Sequence, residues 1–173
     1  MGRQSKIGLD GELECARQLS ARGWTVTDLN IAYKNIPNVD LRIEKSFQQH
    51  AIQVKTSAKP KGYITGGSVN QKVVSGAPIF NRVPRLLLCD FIIFLAQKSE
   101  AWRFFIVPTT KAEELFRKNI DAYFGRPRLD GLAKSPTGQA DIFVGEGHFP
   151  HSRIVPDQRP EILPFEDRWE ILD

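Results

Sequence analysis

Residues 51–57 read AIQVKTS, and the reading of this stretch decides the fold. Alternation over IQVK predicts a β-strand with Ile52 and Val54 on one face and Gln53 and Lys55 together on the other. The apolar side, with Ala51 before it, suits a strand inside a sheet rather than at its margin. Upstream, the segment NVDLRIE alternates in the same way, setting Val39, Leu41 and Ile43 against Asp40, Arg42 and Glu44. Only KSFQQH separates the two strands, so they form an antiparallel hairpin. A carboxylate, an amide and an ammonium thus project from the polar faces of neighbouring strands. The alternative reading makes Asp40 a solvent-facing residue and Gln53 and Lys55 the exposed face of an edge strand.

The elements outside this hairpin complete a layered domain. Residues 5–22 carry helical periodicity, closed by Gly23, and WTVTDL follows as a strand. On the helix, Glu12 precedes Cys15, Ala16 and Leu19 by three, four and seven residues, which places its carboxylate on the apolar stripe. A carboxylate in that position is costly unless something compensates it. A capping or salt-bridge role near the helix start is the alternative. Glu14 points elsewhere. LLLCDFIIFLA reads as a central strand buried on both faces, WRFFIVP as its neighbour, and TTKAEELFRKNIDAYF as a helix with Thr caps and Glu in its first turn. Residues 57–84, rich in Gly, Pro, Ser and Lys, read as a long functional loop with one helical turn. The order predicts an α/β domain: a mixed central sheet flanked by helices. Its core spans residues 1–125, with a basic loop at 57–85. Residues 126–173 form a C-terminal extension that packs on the core or builds an oligomer interface, with Trp169, Ile171 and Leu172 docking on the body.

The chain has 173 residues, 41% of them hydrophobic and 25% charged, and a net charge of +4. These values fit a globular protein with one core. No apolar window is long enough for a membrane span, and the polar N-terminus has no secretory h-region, which implies a cytoplasmic protein without a membrane partner. Cys15 and Cys89, with no CxxC spacing, read as reduced buried thiols. The positive charge is concentrated in the middle of the chain. From Lys45 to Cys89 there are seven basic residues and no acidic one, whereas residues 126–173 carry six basic and nine acidic residues. A one-sign segment of this kind suits a polyanion such as nucleic acid. A solvated loop of chance composition is the alternative. TGGS at residues 65–68 lacks the spacing and the Lys-Ser/Thr of a phosphate loop, which argues against ATP binding. His148 and His151 in HFPH read as surface histidines, and His50 as a loop residue.

An acid on the first helix, an acid at the second strand, then a polar residue, one spacer and Lys on the third strand is a known arrangement. In GLDGELECA, PNVD and QVK the chain resembles the PD-(D/E)xK nuclease superfamily, the restriction-endonuclease-like fold. GWTV, CDFIIFL and FFIVP extend the likeness over residues 5–110. Within the superfamily it is most similar to Holliday-junction-resolvase-like enzymes and bacterial intron-encoded homing endonucleases.

The resemblance implies a Mg²⁺-dependent DNA endonuclease, with Mn²⁺ as a second possible ion. Asp40, Glu12, the Gln53 side-chain oxygen and the Val54 carbonyl would supply hard oxygen ligands. Lys55 would orient or acidify the attacking water and neutralise the phosphate. The implied catalytic set is Glu12, Asp40, Gln53 and Lys55. Ser57, Lys59, Lys61, Lys72, Arg82 and Arg85 are phosphate-contact candidates, and Tyr63 is a stacking candidate. The implied partner is duplex or branched DNA, and cutting both strands implies a homo-oligomer, a dimer or higher. Gln53 departs from the usual Asp or Glu, although QxK variants occur in the superfamily. A catalytically inactive nucleic-acid-binding module of the same fold, and a protein-interaction subunit, are therefore the competing readings.

Overall fold

A computed structural model describes residues 6–32, 39–57, 63–74, 77–81, 89–98, 101–125, 137–144 and 157–173. Helix α1 (Lys6–Ala21) leads into β1 (Thr25–Asp28), a one-turn helix α2 (Leu29–Ala32), and the strands β2 (Leu41–Lys45) and β3 (Gln48–Ser57). Gly23, at φ 84°, takes the left-handed conformation that ends α1. Strands β4 (Tyr63–Val74) and β5 (Ala77–Asn81) follow, then β6 (Phe91–Lys98), β7 (Ala101–Pro108) and α3 (Thr109–Gly125). The chain continues through β8 (Thr137–Phe143), α4 (Arg159–Ile162) and the 3₁₀ turns Leu163–Phe165 and Trp169–Leu172.

Five strands form the main sheet in the order β1-β2-β3-β6-β7. All its pairings are antiparallel except β3 with β6, where Ile52 pairs with Phe91 and Lys55 with Phe94. The sheet is therefore mixed, and β3 is an internal strand, as its apolar alternation indicates. Asp90 fixes the parallel register: its backbone N–H donates to the Ala51 carbonyl (2.8 Å), and its Oδ2 accepts from the Ala51 N–H (2.8 Å).

Two apolar layers cover the sheet. Ile52, Val54, Ile93, Leu95, Phe104 and Ile106 pack under α1 through Cys15 and Leu19. Ile92, Phe94, Phe105 and Val107 face α3 through Ala112, Leu115 and Phe116. Five consecutive buried residues, Ile92–Ala96, confirm that β6 is covered on both faces. Both cysteines are free thiols and buried. No helix among the described residues is long and apolar enough to cross a membrane.

Several expectations are corrected. The described residues within 57–84 do not form a loop with a helical turn: β4 and β5 form an antiparallel hairpin, and β8 pairs along the other edge of β4 to make a three-stranded sheet, β5-β4-β8. The glycines that suggested a loop sit at a register shift, between Thr65 and Gly67. Asp40 is not on the polar face of a strand, because β2 starts at Leu41. Val39 packs with the α3-side cluster and Leu41 with the α1-side cluster, so the chain bends between them. His50 lies within β3 rather than in a loop, between the rings of Trp24 and Phe91, with Nε2 3.1 Å from the Leu172 carbonyl. Helix α3 begins at Thr109, so its glutamates fall beyond the first turn, and the Thr109 hydroxyl meets Cys89 Sγ at 3.3 Å.

The C-terminal segment docks as its apolar residues indicate. Trp169 packs at a tilt against Phe104 and Leu172 is buried in the α1-side layer. Arg103 on β7 grips Glu166 through two bonds of 2.6 and 2.7 Å and also donates to the Val144 carbonyl. Arg103→Ala removes this fork and leaves Glu166 without a cation. With the pair partly shielded, the expected loss is about 1–2 kcal/mol, read as a fall in the denaturant midpoint, and limited proteolysis should then cut first near residues 157–173.

Candidate functional site

At the start of β2 two of the side chains named from the sequence, Glu12 and Asp40, come together. Every polar handle of Asp40 is engaged. Its N–H donates to the Ile52 carbonyl (2.9 Å) and its carbonyl accepts from the Leu29 N–H (2.9 Å). Oδ2 accepts from the Val54 N–H at 2.7 Å, and Oδ1 accepts from Asn30 Nδ2 at 3.3 Å. The carboxylate thus takes the place that a longer β2 would fill with a backbone carbonyl. Because the N–H and C=O of one strand residue leave on the same side, the Val54 carbonyl also faces this edge, beyond the end of β2.

Glu12 arrives from α1. It is only 7% exposed and shares the buried face of the helix with Gly11, Cys15 and Leu19. Its position depends on how closely the helix approaches β3. A Cβ on Gly11 would lie 2.1 Å from Thr56 Oγ1, so only glycine lets the helix backbone rest on the strand here. Glu12 Oε2 then accepts from Asn30 Nδ2 at 3.1 Å, the same nitrogen that donates to Asp40. Burial pushes the Cys15 thiol up, and the nearby carboxylates of Asp40, Glu14 and Glu12 push it in the same direction.

Asn30 itself is set by local capping. Asp28 Oδ1 accepts from the N–H groups of Asn30 (2.9 Å) and Ile31 (3.1 Å), the bonds of a helix N-cap. With the Leu29 N–H tied to Asp40, α2 is pinned at its start against β2. The sequence reading passed over Asn30 and Gly11. The signals for them are an Asp two residues before the Asn, and a glycine inside an amphipathic helix next to a buried acid.

The remaining residues divide. Gln53 is 3% exposed, and its Oε1 is buried without a donor. Lys55 is half-buried. Ala51 packs on the α3-side cluster and Ile52 and Val54 on the α1-side cluster, so the strand period sends Gln53, Lys55 and Ser57 to the α3 side. The structure therefore joins Glu12 and Asp40 directly, through Asn30. Gln53 and Lys55 share with this pair only their neighbour Val54, whose N–H binds Asp40, and their side chains leave β3 on the α3 side, away from Glu12. Ser57 is buried at the end of β3. Lys72 lies in β4, while Lys59, Lys61, Arg82 and Arg85 lie outside the described residues, as do His148 and His151.

Among the described residues, no three His, Cys, Asp or Glu side chains gather into a metal cluster. The oxygens at this corner are two carboxylates, Glu12 and Asp40, and one strand carbonyl, that of Val54, while the buried Gln53 amide leaves β3 on the α3 side. An all-oxygen set suits a hard divalent cation rather than zinc or copper. The donorless Gln53 oxygen is an acceptor that such an ion would satisfy, because a buried acceptor left alone is unfavourable, but it stands across the strand edge from the Glu12–Asp40 pair.

No family model matches the chain, and no curated protein matches it in sequence. A search of solved structures finds a bacterial homing endonuclease, I-Ssp6803I, at TM-score 0.54 and 14% identity, covering 98% of this chain and 93% of that one. A second match, the crystal structure of MepB, has a TM-score of 0.27 at 13% identity and covers 74% of this chain and 77% of the other. The first likeness is one of fold, and it runs through nearly the whole chain.

Proposed function

We propose that the protein is a metal-dependent DNA endonuclease of homing, restriction or junction-resolving type, hydrolysing phosphodiester bonds at the corner formed by α1, α2, β2 and β3. The observation that carries this reading is the pair of carboxylates, Glu12 and Asp40, held on one amide nitrogen beside the end of β2. The full-length fold likeness to a homing endonuclease supports it. So does the acid-free basic stretch from Lys45 to Cys89.

Asp40, Glu12, the Gln53 oxygen and the Val54 carbonyl would hold a Mg²⁺ or Mn²⁺ ion. Such an ion supplies charge neutralisation at the phosphate and a more acidic water. Asp40 is oriented for this work by the Val54 N–H, so its second oxygen is presented at a fixed angle. Lys55 brings an ammonium to the same strand, where it orients the attacking water and offsets the charge that builds on the phosphate. Lys72 and the other basic residues of the middle segment position the DNA backbone without reading its sequence.

The test is a cleavage panel on supercoiled, linear and four-way-junction DNA with Mg²⁺ and with Mn²⁺. Cutting that depends on the ion supports the reading. Gln53 favours one competitor: an amide adds no charge, which suits a module that binds DNA without cutting it. Salt-sensitive binding with no cleavage of any substrate would establish that module, and absence of both would exclude the two readings together.

Gln53→Glu separates them further. A third carboxylate strengthens the hold on a hard cation, so half-maximal cleavage is expected at about tenfold lower Mg²⁺, equivalent to about 1.4 kcal/mol. An unchanged Mg²⁺ requirement would remove Gln53 from the ligand set.

A further inference from the structure

We propose that Asn30 is the positioning residue of this site, standing in for the cation by holding the Glu12 and Asp40 carboxylates together until the ion arrives. The inference deepens the nuclease reading and rests on it for the identity of the ion, but not for the role of the amide. A primary amide nitrogen has two N–H groups, and both of those on Asn30 are spent on the two acids, at 3.1 and 3.3 Å. Two like charges set this close, one of them 7% exposed, repel and lose solvation. Two donated hydrogens offset both costs without introducing a charge.

The residue is built into place for that task. Asp28 caps the turn that carries it, and the Leu29 N–H binds the Asp40 carbonyl, so Asn30 cannot drift from the acids while α2 is intact. A divalent cation satisfies the same two oxygens more strongly than an amide does. When it binds, the Asn30 amide is released from that duty, and its two N–H groups become free to donate to a ligand or water.

The test is a double-mutant cycle read by thermal unfolding of the full chain, in EDTA and in saturating Mn²⁺, with Mn²⁺ binding followed by calorimetry. Asn30→Ala is expected to lower the Tm in EDTA by about 3–6 °C. In the Glu12→Gln background, where one charge is gone, the same substitution should cost less than half as much. In Mn²⁺ the deficit should also shrink by more than half. Equal costs in the two backgrounds would show that Asn30 merely packs, and would overturn the proposal. A deficit that persists undiminished with Mn²⁺ bound would overturn it as well. If the cycle shows coupling while the wild-type chain binds no Mn²⁺, Asn30 keeps its role and the metal-dependent nuclease reading fails. Should Asn30→Ala not fold, Asp28→Ala, which loosens α2 without touching the acids, takes its place with the same expected pattern at smaller size.

Discussion

On the nuclease reading, Asp40→Asn and Lys55→Ala are each expected to lower the rate of DNA cleavage by about 10²–10³-fold. The two substitutions reach this loss by different routes, and stability measurements tell them apart. Asparagine at position 40 still offers an oxygen to the Val54 N–H, but its NH₂ then faces the NH₂ of Asn30, donor against donor. Asp40→Asn should therefore be less stable by about 1–2 kcal/mol while remaining folded. Lys55→Ala removes an ammonium from a half-buried strand position and leaves the hydrophobic layers intact. Its unfolding midpoint should stay near the wild-type value. Lys55→Arg should not restore the rate, because a planar guanidinium cannot serve as the compact charge of an ammonium. Cleavage and circular dichroism on the same preparations check both outcomes. Full activity in either variant would remove that residue from the site.

Gly11→Ala produces the largest expected effect on stability. A methyl group there would stand 2.1 Å from Thr56 Oγ1, 2.9 Å from its Cγ2 and 3.1 Å from its Cβ. The helix must shift or the strand must yield, and overpacking of this sort costs about 1–3 kcal/mol. Activity should fall with it, because a displaced α1 takes Glu12 away from Asn30. Pairing the change with Thr56→Ala removes the two closest atoms and should recover part of both losses. A Gly11→Ala protein with wild-type stability and cleavage would mean that the contact between α1 and β3 is not what places Glu12.

The elements that carry regular apolar patterns were legible in the sequence. The period of two in IQVK placed β3 inside the sheet, and the stripe of Cys15 and Leu19 turned Glu12 inward. LLLCDFIIFLA announced a covered strand, and PFEDRWEILD its docking. The hairpin of β4 and β5 was hidden, because its strands hold together by backbone pairing in a stretch rich in Gly, Ser and Lys, where strand propensity is weak. Alternation sets Asp40 on a strand face, because it cannot show that the chain bends just before β2 begins. Asn30 was invisible for a related reason. Its importance comes from a single turn capped by Asp28 and from two acids 18 and 10 residues away. The Gly11 contact required knowing which strand lies beneath the helix.

The central proposal is that the Glu12 and Asp40 carboxylates and the Val54 carbonyl hold one hard cation at the end of β2, with Gln53 offering its oxygen from across the strand edge. Anomalous diffraction from crystals soaked in Mn²⁺ tests it most directly. The expected result is one strong peak at the end of β2, within bonding distance of an Asp40 oxygen and the Val54 carbonyl. No peak there at saturating Mn²⁺, or a peak bound by other residues alone, would contradict the account.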